Sequence, residues 1–288
     1  MNDQVSVLKN LVSTQKSKEK SKLRVVSVTS GKGGVGKTSF TVNLSIALKE
    51  LGYRVIILDG DLGLANVDIA FGITPRYTLE HLISGEKNLE EILVKGPKDI
   101  GIIPGGSGIQ DLADLDRGKL ETVIRDLGTL EKITDFLIID TGAGLGHTVT
   151  NFLKASDDIV VITTPEPTSI TDAYGLLKAF SIDHGDFNVN VIINKVSSEA
   201  DALATFERLE NAVKKFLKGS LNLLGWVYED KAVGKAIMQQ SPMALSYPQS
   251  PAYKCIQWIA GKISGIYLSP PRKAAGIRGF LSHLLRSL

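Results

Sequence analysis

The feature that most constrains this chain is a short apolar run, Val25 to Thr29, that leads into Gly31-Lys32-Gly33-Gly34-Val35-Gly36-Lys37-Thr38-Ser39, after which a helical pattern begins at once. Glycines in such a turn let successive backbone N–H groups point inward, and the helix that follows adds the positive end of its dipole. A strand, this turn and a helix therefore form a cradle for a phosphate chain. Its Lys-Thr ending assigns Lys37 to the β and γ phosphates and the Thr38 hydroxyl to Mg²⁺, with Gly31 to Gly36 and Ser39 lining the rest of the loop. A glycine-rich turn with no ligand is the plain alternative, and the full spacing with the right flanks argues against it.

From Arg24 onward, short β-branched runs alternate with helical periodicity, the pattern of a parallel sheet wrapped by helices. Strands are expected at Val25 to Thr29, Val55 to Leu58, Ile100 to Ile103, Phe136 to Ile139, Ile159 to Thr163, Val189 to Ile193 and Leu223 to Val227. Helices are expected at Ser39 to Leu51, Lys119 to Leu130, Ser169 to Phe180 and Ala202 to Leu217. The fold class is α/β: a single nucleotide-binding domain over residues 24–266 with a mainly parallel, doubly wound sheet. An N-terminal arm (1–23), a proline-containing linker (267–275) and a terminal segment (276–288) flank it.

A formal net charge of +2 over 288 residues gives no field for nucleic acid, so no nucleic-acid partner is expected. The one cysteine, Cys255, can form neither an intramolecular disulfide nor a cysteine-rich metal site. No apolar run approaches the length of about 18 residues needed to span a bilayer, and no leader-like stretch opens the chain, so the expected location is the cytosol.

Two further strands end in acidic residues where ligands of open parallel sheets bind. Val55 to Leu58 delivers Asp59-Gly60-Asp61, whose carboxylates at alternate positions can face one pocket. Asp59 is expected to hold the magnesium shell or the loop itself. Phe136 to Ile139 delivers Asp140 followed by Thr141-Gly142-Ala143-Gly144, so Asp140 is expected to hold Mg²⁺ through water while the glycines let the loop sense the γ-phosphate.

The early lysine of the loop, Lys32 in KGGVGKT, resembles that of the MinD/ParA family of deviant Walker A ATPases, and the resemblance extends from about Arg24 to Ile266. It implies ATP as the nucleotide, slow hydrolysis, and a homodimer in the ATP state in which Lys32 reaches the partner's nucleotide. By the same resemblance, Asp61 matches the aspartate that orients the attacking water and Asn194 the asparagine that reads the base. Asp230, in Val227-Tyr228-Glu229-Asp230, matches a position near the base. An asparagine amide can both donate to and accept from an adenine edge, although Asx residues also simply end strands. Where the family has Asp-x-Pro-x-Gly, this chain has glycine at the third place, Gly142.

The two ends of the chain carry the rest. Ile277, Phe280, Leu281, Leu284, Leu285 and Leu288 fall on one face of a helix, with Arg278, Ser282, His283 and Arg286 opposite, and no acidic residue follows Asp230. Packing on its own domain is one reading of this stripe. MinD-type proteins end in such a helix, which implies reversible binding to the anionic cytoplasmic face of the cell membrane. At the other end, Asp3-Gln4-Val5-Ser6-Val7-Leu8-Lys9 resembles the activator motif of the family's FlhG branch, which governs flagellar number and placement. That resemblance implies stimulation of the FlhF GTPase through Gln4 and contacts with flagellar basal-body components. A division-site regulator of MinD type, a ParA-type DNA-partitioning ATPase and a scaffold without turnover stand as alternatives.

Overall fold

The computed structural model describes residues 23–61, 66–106, 125–266 and 268. Among these are β1 (Arg24–Ser30), β2 (Val55–Gly60), β3 (Val94–Lys95), β4 (Gly101–Ile103), β5 (Phe136–Ala143), β6 (Asp158–Thr163), β7 (Phe187–Val196) and β8 (Gly219–Tyr228). They form one sheet in the order β3-β4-β2-β5-β1-β6-β7-β8. All pairings are parallel except β3 with β4. Each expected strand is present within a few residues. The additional strand β3 is two residues long, too short for any alternation to show in sequence.

The order of the strands fixes where a ligand can sit. From β1 the chain moves one way to β2 through the helix Lys37–Glu50, and from β6 it moves the other way to β7 and β8 through the helices Pro167–His184 and Glu199–Phe216. Crossovers are right-handed, so opposite directions of winding set these helices on opposite faces of the sheet. The reversal leaves a crevice beyond the C-terminal ends of the central strands, and the glycine loop lies there because it directly follows β1.

Between Lys37 and Lys49 the first helix carries no charged residue, and Phe40 through Leu48 are all buried. Such a helix needs cover on every side. The sheet covers one flank and the last described helix, Pro251–Ile263, another. Glu50 ties the two helices, accepting from the Tyr253 hydroxyl at 2.9 Å and from Gln257 Nε2 at 3.2 Å. On the sheet side, Trp258 meets Trp226 edge-on at 4.9 Å over Gly225, where an added Cβ would lie 2.7 Å from Ile259.

The edge strand β8 is not an open template. Its register with β7 slips at Leu224, and the Leu224 carbonyl accepts from Lys262 Nζ at 2.8 Å. A bulge capped by a lysine discourages strand addition. At the end of the sheet remote from the glycine loop, Arg24 pairs with Asp158 and donates to the Ile263 carbonyl, so the two ends of the described domain lie together. Of the expected helix Lys119 to Leu130, residues 119–124 lie outside the described residues, as do Gln4 and the stripe from Ile277 to Leu288; Leu130–Ile133 is helical.

Cys255 lies on the buried side of the last helix, fully inaccessible, and burial pushes its thiol up to about 11. Thiolate is therefore scarce at ordinary pH as well as shielded. Ellman's reagent at pH 8 is expected to label less than about a tenth of the native thiol in the time that denatured protein reacts fully. Rapid labelling of the folded protein would contradict this packing.

Candidate functional site

The glycine loop is shaped by close approaches that only glycine permits. At Gly31 a Cβ would lie 2.1 Å from the Asp172 carbonyl oxygen, so the strand end passes directly over the backbone of the helix Pro167–His184. Gly34 and Gly36 have φ of 77° and 94°, the left-handed region open to glycine, and Gly36 precedes the first turn of the helix Lys37–Glu50. Gly33, Gly34, Gly36, Lys37, Thr38 and Ser39 line one side of a cavity of about 430 Å³, and Asp61 and Asn66 stand on the other. Val35 is buried beneath the loop.

Beside the cavity, Asp140 gathers the loop's functional groups. It lies on β5 next to Asp59 on β2, fully inaccessible to solvent. Thr38 Oγ1 donates to its Oδ2 at 2.6 Å, Thr41 Oγ1 to its Oδ1 at 3.1 Å, and Lys37 Nζ lies 3.7 Å away. Burial pushes the Asp140 carboxyl above its usual range, opposed by Lys37 and the two hydroxyls. Since Thr38 spends its proton on Asp140, the oxygen's lone pairs are left for a cation on the cavity side. Hard oxygen donors around a phosphate cradle suit Mg²⁺, and among the described residues no cluster of three or more His, Cys, Asp or Glu offers a competing site. The donor set thus fits the metal, which Thr38 would ligate directly with Asp140 behind it.

Asp59 is hydrogen-bonded to the turn that follows it. Its Oδ2 accepts from Asn66 N–H at 3.0 Å and Val67 N–H at 3.1 Å, and its Oδ1 from Asp61 N–H at 3.2 Å. Burial pushes its carboxyl up to about 6 in spite of these three donors. Asp61 faces the cavity, accepts from Asn66 Nδ2 at 3.3 Å, and has its Oδ1 3.7 Å from where a Gly142 Cβ would be. The segment after Asp140 continues as strand through Ala143, with Thr141 Oγ1 on the Val28 carbonyl and Gly144 N–H on that of Ser30. Pairing to β1 holds this segment extended where the sequence suggested an immediate loop.

A second cavity of about 320 Å³ adjoins the loop, lined by Asn194, Tyr228, Asp230, Val233 and Ile256 among others. The two polar residues expected near the base have their groups engaged. Asn194 Nδ2 donates to the Val35 carbonyl at 2.7 Å while its Oδ1 accepts from Lys195 N–H at 2.9 Å. Asp230 caps the helix Lys231–Met238 through Ala232 N–H and accepts from Ala252 N–H. Lys32 Nζ donates to Glu166 Oε2 and Thr168 Oγ1, both at 3.1 Å, at the rim of the larger cavity. Ser30, Thr41, Glu166, Thr168 and Lys195 were not singled out in the sequence. Their partners are more than 90 positions away or are backbone carbonyls, and only the Asn-Lys step at a strand end carried a local signal.

With this geometry in hand, an AAA domain family matches residues 23–193. The antiactivator FleN of Pseudomonas aeruginosa is 38% identical over 84% of this chain and 86% of its own. The flagellum site-determining protein YlxH of Helicobacter pylori is 33% identical over the whole of both chains. Among solved structures, MinD of Aquifex aeolicus in the MinC:MinD complex superposes with a TM-score of 0.68 at 25% identity, covering 87% of this chain and all of that one. MinD of Pyrococcus horikoshii with Mg-ADP gives 0.65 at 25% identity, covering 89% and 98%. ATP and Mg²⁺ are therefore the ligands of the loop, and the reaction is ATP hydrolysis. The chain belongs to the MinD/ParA family of P-loop ATPases, in the group that contains FleN and YlxH.

Proposed function

We propose that this ATPase is a slow nucleotide switch that dimerises around two ATP molecules, binds the cytoplasmic face of the cell membrane in that state, and regulates the number and placement of flagella. The observation that carries the flagellar assignment is the end-to-end match with a flagellum site-determining protein, which includes both terminal segments as well as the ATPase domain. The name of the FleN relative, an antiactivator, agrees with a regulatory role.

The chemistry follows from the site. The loop's N–H groups and Lys37 hold the phosphate chain, Thr38 and Asp140 hold the metal side, and Asp61 orients a water in line with the γ-phosphorus. Mg²⁺, when bound there, would neutralise charge developing on the phosphate chain. Phosphoryl transfer to water needs positioning and electrostatics more than covalent help, so a modest rate suits this sparse site. Lys32 is the residue offered to the partner subunit's nucleotide. It starts from the rim, held by Glu166 and Thr168, and exchanges those contacts for phosphate oxygens.

The terminal segments supply the outputs. Among the described residues no helix is long and apolar enough to cross a membrane, so attachment falls to the amphipathic stripe Ile277 to Leu288, with the arm carrying Gln4 as the activator of FlhF. Arg24 and Ile263 are hydrogen-bonded, which supports both segments acting from one end of the sheet, away from the nucleotide. Two weak anchors in a dimer bind far better than one, which would make membrane attachment follow ATP.

Asp61→Ala is expected to bind ATP, to remain dimeric with it in light scattering, and to release phosphate at least about tenfold more slowly; a variant that is monomeric in ATP would sink the dimer cycle. Removing residues 276–288 is expected to abolish flotation with anionic liposomes while nucleotide binding survives, and unchanged flotation would refute the anchor. A peptide of residues 1–23 is expected to accelerate GTP hydrolysis by purified FlhF, and the same peptide with Gln4→Ala is not. Division control of MinD type gives the arm no task, so equal, unstimulated rates with both peptides would favour that reading.

A further inference from the structure

Three carbonyls of the phosphate loop accept hydrogen bonds from side chains that lie outside it. Ser30 Oγ donates to the Lys32 carbonyl at 2.9 Å, Lys195 Nζ to the Gly34 carbonyl at 2.9 Å, and Asn194 Nδ2 to the Val35 carbonyl at 2.7 Å. Across a planar trans peptide, the carbonyl of one residue and the N–H of the next point in opposite directions. Holding these three carbonyls away from the cavity therefore turns the N–H groups of Gly33, Val35 and Gly36 toward it. Alternating left-handed glycines, Gly34 and Gly36, allow the reversals of direction this requires.

Two independent features of β7 show that the contact is built in. Its register with β8 slips between Ile193 and Val196, so Asn194 and Lys195 leave the regular ladder. Lys195 also adopts φ of 58°, a conformation uncommon for a side chain other than glycine, asparagine or aspartate. A bulge of this kind re-aims side chains, here toward the loop. Gly36 completes the fit, since a Cβ there would lie 2.4 Å from Asn194 Nδ2.

We propose that Asn194 and Lys195 are positioning residues for the polyphosphate chain, clamping the loop's carbonyls from behind so that its N–H groups are set before the nucleotide arrives. The clamp rests on the loop's binding of ATP and is independent of dimerisation, membrane and flagellum. It differs from a role for Asn194 in reading the base, because its effect must appear with a ligand that has no base. Preorganised donors lose no reorganisation on binding, which is the source of the affinity.

The test uses full-length protein with Mg²⁺ and two ligands, ATP and inorganic tripolyphosphate, titrated by calorimetry, with thermal unfolding of the ligand-free protein alongside. Lys195→Met and Asn194→Ala are each expected to weaken both ligands in equal proportion, by about three- to tenfold for one lost hydrogen bond. Lys195→Arg, which keeps a donor, is expected to restore most of the affinity, and the ligand-free melting temperature is expected to shift little. Tripolyphosphate binding unchanged in both variants overturns the clamp, as does a loss confined to ATP, which would return Asn194 to the base. A large drop in ligand-free melting temperature that Lys195→Arg does not repair assigns the pair to fold stability and also overturns it. Wild-type protein that bound neither ligand would overturn ATP binding itself and the clamp with it.

Discussion

The buried carboxylate of Asp140 is the interaction on which the arrangement of the site depends. A charge at that depth is costly unless it is paired and hydrogen-bonded, and here Lys37, Thr38 and Thr41 satisfy it, all from the helix that the glycine loop begins. The same three contacts fasten that helix to the strand that lies between β1 and β2. One group thereby sets the loop's Lys-Thr pair against the sheet, orders the cation side of the cavity, and leaves a polarised hydroxyl facing the phosphates. The neighbouring carboxylate, Asp59, relieves its own burial with three backbone N–H groups and in doing so shapes the turn that presents Asp61.

Around this centre the final third of the domain serves the nucleotide site from the rear. Helix Pro251–Ile263 covers the helix Lys37–Glu50, whose middle carries no charge, through Tyr253, Gln257 and Glu50, and Asn43 accepts from Ala244 N–H. Asp230 joins the second cavity to the start of the last described helix through Ala252. The domain's C-terminal helix is therefore continuous, by packing and hydrogen bonds, with the helix that carries Lys37 and Thr38.

Much of this was legible from the chain alone. The apolar runs at β1, β2, β5, β6 and β7 could be read because strands buried on both faces leave near-continuous Val, Ile and Leu. The loop was legible because its chemistry is contained in consecutive residues. Less visible were the short helices, such as Val67–Phe71 and Met243–Ser246, each too brief for a helical period to register. Asp140 is legible because it closes the apolar run Phe136 to Ile139, yet nothing in its surroundings announces that Thr41 shares it. Asn194 was singled out for an adenine edge, and its observed partners are the backbone groups of Val35 and Lys195.

The sequence by itself determined the phosphate cradle, the parallel sheet and the acidic residues that close two of its apolar runs, because each is written in local spacing and in the burial that a strand's composition demands. It also determined the amphipathic and basic character of the two ends of the chain. Only the tertiary structure decided which groups meet: that Asp59 is spent on its own turn, that Lys32 rests on Glu166 and Thr168, and that Lys195 reaches back to the loop. The physical reason is that a side chain's function depends on which donors and acceptors remain unpaired around it. For Lys32 and Lys195 that is settled by contacts between segments more than a hundred residues apart, where no local pattern can record it, and for Asp59 by the path its own turn takes within the fold.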